Sequence, residues 1–85
     1  MNWAVRVAAR AKKELRKFPR KDAQRIIYVM IGMAIDPFHG DIEKMLGEEN
    51  SWRRRVGSYR IFYEIIQKQR LVNVFKIQRR TSSTY

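Results

Sequence analysis

The fold this sequence predicts is α+β: a helical hairpin packed on one face of a mainly antiparallel four-stranded sheet, in the order β-α-α-β-β-β. Three observations predict it. The apolar period changes at Ala8 from strand-like alternation to helical spacing. Pro19 and Pro37 then bracket two helical stretches with almost no chain between them. After Ser51, three apolar runs follow one another, divided only by Gly57-Ser58 and by Gln67-Lys68-Gln69-Arg70.

Residues 2–7 read as the first strand, with Trp3, Val5 and Val7 alternating against Asn2, Ala4 and Arg6. Between Ala8 and Phe18, Ala11, Leu15 and Phe18 recur at helical spacing, while Arg10, Lys12, Lys13, Glu14, Arg16 and Lys17 fill the wet face. Pro19 ends that helix and opens the next at a first-turn position, where a missing N–H costs nothing. The second helix spans roughly 20–35, with Ile27, Met30, Ile31 and Ala34 on one stripe, and Asp36-Pro37 stops it. Two helices joined so tightly form an antiparallel hairpin.

Phe38 to Ser51 is the least regular stretch, punctuated by Gly40 and Gly47, with Met45-Leu46 as its expected anchor. The remaining strands fall near 52–57, 59–67 and 71–78. Ile61, Tyr63 and Ile65 point one way and Arg60, Phe62 and Glu64 the other, as the pleat requires. Residues 1–85 make a single domain, since a chain of this length has room for one modest core.

Composition narrows the chemistry. A hydrophobic content of 45% supports a packed core despite the charge. With no cysteine, disulfides, thiolate metal sites and cysteine nucleophiles are excluded together, and a reducing compartment is suited. The longest mainly apolar run, Ile26 to Ile35, is too short to span a bilayer, and the N-terminus lacks the layout of a secretory signal. A cytoplasmic protein without membrane contact is expected.

The net charge of +11 is unevenly spread. Residues 1–50 carry ten Lys/Arg against seven Asp/Glu, whereas residues 51–85 carry nine against one. Four arginines lie in the segment Trp52-Arg53-Arg54-Arg55-Val56-Gly57-Ser58-Tyr59-Arg60, and a second basic pair, Arg79-Arg80, precedes Thr81-Ser82-Ser83-Thr84-Tyr85. Cations at that density repel one another and work against the compact state, so a polyanionic partner is implied. Phosphate contacts of this kind supply salt-sensitive affinity and read no base sequence.

Familiar catalytic sets are missing. The single histidine, His39, sits in an expected loop with only Asp41 and Glu43 nearby, and the plainer reading is a surface-loop residue. The carboxylates are too scattered for a two-metal nuclease, and Gly47 and Gly57 read as turn glycines rather than a phosphate loop. Neither metal nor organic cofactor is expected.

Arginine and tyrosine can nevertheless promote RNA cleavage. The 2′-hydroxyl is an internal nucleophile, so the substrate itself supplies proximity. An enzyme must hold the scissile phosphate in line and stabilise charge on its oxygens, which guanidinium forks do in bidentate fashion. Cations crowded around a tyrosine also favour its phenolate. Arg53, Arg55, Arg60, Arg79 and Tyr85 form such a set if the strand ends converge. From residue type alone, Arg53, Arg54 and Arg55 read rather as a solvated basic face that tracks a backbone. Arg60 has Glu64 as a pairing alternative on its own strand face. Trp52, Tyr59 and Tyr63 stand open between base stacking and core packing.

These residues resemble the RelE/ParE toxin superfamily, and its RelE branch in particular, along nearly the whole chain. The resemblance rests on the Lys12-Lys13-Glu14-Leu15-Arg16-Lys17-Phe18-Pro19 helix end, Asp36-Pro37, Met45-Leu46-Gly47, the Trp52 to Tyr63 segment, and the run from Arg79 to Tyr85. It implies a RelE-like fold and a toxin of a type II toxin–antitoxin pair. Such a toxin enters the ribosomal A site and cleaves messenger RNA there without metal, inhibiting translation. By matching position it assigns catalysis to Arg60, Arg79 and Tyr85: Arg60 on the transition-state phosphate, Arg79 binding or polarising it, and Tyr85 at the attacking hydroxyl. Arg53, Arg54, Arg55 and Arg80 are left to grip RNA. Some relatives use a lysine of this strand as general base, whereas this chain has arginines there, which rarely deprotonate. The implied partners are an acidic cognate antitoxin, the ribosome and messenger RNA, with operator DNA reached only through the antitoxin complex. The alternatives are a ParE-like, non-enzymatic inhibitor of DNA gyrase and a degenerate basic RNA-binding module.

Overall fold

The computed structural model describes residues 2–80. In chain order the elements are β1 (Ala4–Val7), α1 (Ala9–Lys17), α2 (Arg20–Gly32), β2 (Ile42–Lys44), β3 (Ser51–Val56), β4 (Tyr59–Ile66), a 3-10 turn (Gln67–Gln69) and β5 (Leu71–Arg79). The sheet has five strands in the order β1-β5-β4-β3-β2. Three of the four pairings are antiparallel, and β1 lies parallel to β5 with Val5 opposite Val72. The α+β class, the helical hairpin and the mainly antiparallel sheet are those expected from sequence.

The fifth strand was not expected. β2 is three residues long with Ile42 as its one apolar residue, so it carries no period of its own. It forms because β3 offers an unpaired edge: Ile42, Glu43 and Lys44 pair with Arg54, Arg53 and Trp52. Pairing, not propensity, makes this strand.

One face of the sheet is dry. Ile61, Tyr63, Ile65, Val72, Val74 and Ile77 meet Ala11 of α1 and Ile26, Met30 and Met33 of the second helical segment in one buried cluster. The expected stripe on α2 is shifted by about one residue. Met30 and Ala34 are buried, but Ile27 and Ile31 stay 42% and 61% exposed while Ile26 and Met33 go inside. Adjacent apolar residues at 26–27 and 30–31 give the helix two competing apolar stripes, and sheet packing selects one.

The segment after α2 is fixed by its beginning rather than by Met45-Leu46. Leu46 is 98% exposed, so it anchors nothing. Pro37 is fully buried and its carbonyl accepts the Tyr63 hydroxyl at 3.0 Å. The Asp36 carboxylate accepts the backbone N–H of Phe38 at 3.0 Å, a tight turn that starts the loop. Phe38 then sits edge-on to Trp3 at 6.1 Å and to Trp52 at 5.8 Å, which ties the loop to the residue before β1 and to β3. No helix among the described residues is long and apolar enough to cross a membrane.

Candidate nucleic-acid interface

Register decides which arginines meet. Arg54 pairs with Ile61 and Val56 with Tyr59, so these side chains share the helix-covered face. Arg53 pairs with Phe62 and Arg55 with Arg60, which puts those three arginines on the opposite face. There they line a cavity of about 110 Å³ together with Asp41 and Glu43. Three cations and two carboxylates leave that cavity with one surplus positive charge.

The two acids come from the β2 region. Arg53 holds Glu43 Oε1 through both Nη2 at 2.7 Å and Nε at 3.2 Å. Arg55 Nε donates to Asp41 Oδ2 at 3.0 Å. Arg60 makes no ion pair among the described residues, and Glu64, its sequence alternative, instead accepts the Asn73 side-chain amide at 3.2 Å. The arginine and acid side chains of both pairs are 38–68% exposed, so each pair contributes at most about 1 kcal/mol. A phosphate group can displace such carboxylates. Sequence reasoning missed Asp41 and Glu43 as arginine partners. Their spacing of two matches that of Arg53 and Arg55, which is what an antiparallel pairing would join.

Arg54 turns away from this cluster. Its Nη1 donates to the His39 carbonyl at 3.0 Å, and its buried Nε has no hydrogen-bond partner among the described residues. The guanidinium lies directly over Gly40, whose φ is +98°. The positive φ favours glycine, and a Cβ there would also overlap Arg54 Cζ and push the guanidinium aside.

Arg79 also comes to the helix-covered side. It opposes Tyr59 in the β4–β5 register, and its Cζ stands 5.7 Å over the Tyr59 ring, whereas Arg60 opposes Gln78. Arg60 and Arg79 thus lie near the same end of the sheet on opposite faces. Arg79 lines a second cavity, of about 130 Å³, with Asp22, Arg25 and the Gly57-Ser58 turn. The Arg80 backbone N–H donates to the Ser58 carbonyl and holds the end of β5 to that turn. Tyr85 lies outside the described residues.

Neither buried tyrosine is tuned toward phenolate. Burial pushes the Tyr59 phenol up, and its hydrogen bond to Asp22 at 2.7 Å adds to this, against the opposing charge of Arg79. Burial likewise pushes Tyr63 up to about 12; the nearby Arg54 lowers it and Asp36 raises it. Both are core residues, as are most aromatics beside helices. The open face keeps a different aromatic pair. A bulge in β5 between the partners of Phe62 and Tyr63 leaves Phe75 unpaired. Phe75 then lies 6.4 Å from Phe62, with Lys76 Nζ 5.1 Å over the Phe62 ring.

A sequence profile of the ParE toxin of type II toxin–antitoxin systems (parDE) matches residues 5–83. Against curated protein sequences nothing matches. Among solved structures, the fold is similar to that of RelE in the archaeal RelE–RelB complex from Pyrococcus horikoshii OT3, with TM-score 0.84 and 22% identity over 98% of this chain and all (100%) of that one. The RelBE2 toxin–antitoxin complex from Mycobacterium tuberculosis gives TM-score 0.82 at 21% identity, covering 94% of this chain and 100% of that chain. The isolated E. coli RelE toxin gives 0.81 at 19%, covering 95% and 87% respectively. With the profile spanning nearly all of its length and the sheet order built as described, the chain belongs to the ParE toxin family of type II toxin–antitoxin systems, within the RelE/ParE superfamily, and carries the RelE fold.

Proposed function

We propose that this toxin is an endoribonuclease that cleaves messenger RNA in the ribosomal A site without metal and so stops translation. One observation supports the reading above the rest: Arg53, Arg55 and Arg60 gather in a single small cavity on the uncovered face, with Arg60 free of any carboxylate among the described residues. A free guanidinium beside two weakly held ones suits a phosphate whose charge grows during reaction. In the step itself the RNA 2′-oxygen bonds to phosphorus as the bond from phosphorus to the 5′-oxygen breaks. The 2′-hydroxyl gives up a proton and the departing 5′-oxygen takes one. Arg60 stabilises the phosphoryl oxygens while Arg53 and Arg55 hold the flanking backbone. Arg79 reaches a phosphate from the other side of the hairpin, Arg80 adds a backbone contact, and Tyr85 is assigned by resemblance to the attacking hydroxyl.

The ribosome is the implied scaffold that presents the messenger. An antitoxin is the implied regulator, since RelE is found with RelB in solved complexes. The strongly positive chain suits an acidic one, because opposite potentials speed association. Operator DNA is then contacted through the antitoxin. The cytoplasm is the compartment this reading requires.

The test is toeprinting on translating ribosomes with purified wild-type protein and with Arg60→Ala. Cleavage confined to ribosome-bound messenger and lost in the variant is expected. Equal cleavage of naked and ribosome-bound RNA would remove the ribosome from the mechanism. A second reading is favoured by the matched ParE profile and by Arg79 standing apart from the cluster: non-enzymatic inhibition of DNA gyrase. Inhibited supercoiling with intact messenger selects that reading instead.

A further inference from the structure

The second cavity has the makings of an anion site that the first does not explain. It lies on the helix-covered side of the β3–β4 hairpin and is lined by Asp22, Arg25, Val56, Gly57, Ser58, Tyr59 and Arg79. Its two guanidinium groups come from α2 and β5, which are far apart in sequence. Neither makes an ion pair among the described residues, although Asp22 lines the same cavity. That carboxylate accepts the Tyr59 hydroxyl at 2.7 Å instead. Two cations and one acid leave one surplus positive charge, the same balance as on the open face.

The turn makes room for this arrangement. Gly57 has φ +58°, and a Cβ built on it would come within 3.3 Å of Arg25 Nη1. The missing side chain lets the Arg25 guanidinium lie against the turn backbone. Arg25 is thereby a helix residue that reaches the tip of a β-hairpin, beside Arg79. Two exposed arginines share this cavity with a single acid that is already engaged by the Tyr59 hydroxyl, so they repel, and a shared anion relieves that repulsion.

We infer that Arg25 and Arg79 form a second phosphate subsite, so that one RNA strand straddles the Gly57-Ser58 turn. One phosphate sits among Arg53, Arg55 and Arg60 on the open face, and a neighbouring phosphate sits between Arg25 and Arg79 on the other. The inference rests on the RNA-directed reading above and adds to it Arg25, an RNA-gripping residue that resemblance did not name. It also gives Arg79 work in the place where it is found. The strand bends at the turn, which splays the nucleotide between the two phosphates.

The salt dependence of binding tests this with a fluorescein-labelled single-stranded RNA hexanucleotide and full-length protein. Each phosphate contact contributes about 0.7 to the slope of log affinity against log salt for a single strand. Arg25→Gln is expected to lower the slope by about that amount and to weaken binding several-fold at low salt. Lys12→Gln, which removes an equally exposed helix cation that lines neither cavity, is expected to leave the slope unchanged. A methylphosphonate placed in turn at each phosphate should reveal one position where Arg25→Gln costs nothing further. If the wild type binds with a clear slope and Arg25→Gln matches it, the second subsite is wrong while the RNA reading stands. If the wild type shows no salt-sensitive binding to any oligonucleotide, the RNA reading itself fails. Weakened binding of an acidic peptide by Arg25→Gln, with the RNA slope unchanged, would assign the cavity to a protein carboxylate and overturn the inference.

Discussion

Arg55 and Arg60 stand directly opposite each other across β3 and β4, and of the two only Arg55 has a carboxylate partner among the described residues. Like charges at such a position oppose folding by a few tenths to about 1 kcal/mol. Arg60→Gln is therefore expected to raise the urea midpoint slightly while cleavage in a toeprinting assay is lost. A variant that is both less stable and still active would show that Arg60 serves the fold instead.

Glu43 and Asp41 hold Arg53 and Arg55, the arginines that the proposed function gives to the RNA backbone. Asp41→Asn together with Glu43→Gln should tighten oligonucleotide binding at low salt, as read by fluorescence anisotropy. The cost in stability should stay below about 1 kcal/mol per pair, because both pairs face water. Weaker RNA binding in the double variant would mean that the acids position the guanidinium groups rather than occupy them.

Gly40 and Arg54 are coupled by space. Gly40→Ala meets both a φ of +98° and the Arg54 guanidinium, and a loss of more than about 1 kcal/mol in chemical denaturation is expected. Arg54→Ala removes the overlap but not the backbone conformation. The double variant should accordingly recover part of the loss relative to the sum of the single ones. Strict additivity would rule out the steric share.

Tyr63 makes stability fall at high pH. The folded phenol is held up to about 12 against an ordinary value of 10.0, so the folded state keeps its proton after the unfolded chain has begun to lose it. Its stabilising effect is complete below the ordinary value and is lost as pH climbs toward the raised one. Two units correspond to roughly 2–3 kcal/mol. Tyr63→Phe should cost about 1 kcal/mol at neutral pH, through the hydrogen bond to Pro37, and should flatten that part of the pH profile. Urea titrations of both proteins at stepped pH read the difference.

Much of this molecule was legible in its sequence because period and punctuation are local. Alternation set the first strand, Pro19 divided the two helices, and short turns separated the last strands, whereas α2 ends at Gly32, short of the Asp36-Pro37 stop. What escaped was decided by pairing. β2 exists through β3, and the α2 stripe was chosen by the sheet rather than by the helix. The arginine segment shows both cases at once. Its basic character and the meeting of Arg53, Arg55 and Arg60 followed from alternation across a two-residue turn. Arg54 was separated from its neighbours by the same alternation, yet its contacts with His39 and Gly40 depend on where a loop is folded. Arg79 depended on the β4–β5 register, which a bulge at Phe75 shifts by one residue beyond Val74. No count along the sequence marks that bulge.

The parallel pairing of β1 with β5 also bears on when the toxin can act during its own synthesis. β5 leaves the ribosome after every other described element, yet it is bonded on both sides, to β1 and to β4. A nascent chain lacking it has a first strand with no neighbour and a hairpin with one unpaired edge. Arg60, whose cross-strand partner Gln78 belongs to β5, then stands on an unfinished surface. Contacts between such distant parts of a chain form late. A chain still lacking its last strand therefore has neither the joined sheet nor the finished surface around Arg60, and both are completed in one late step.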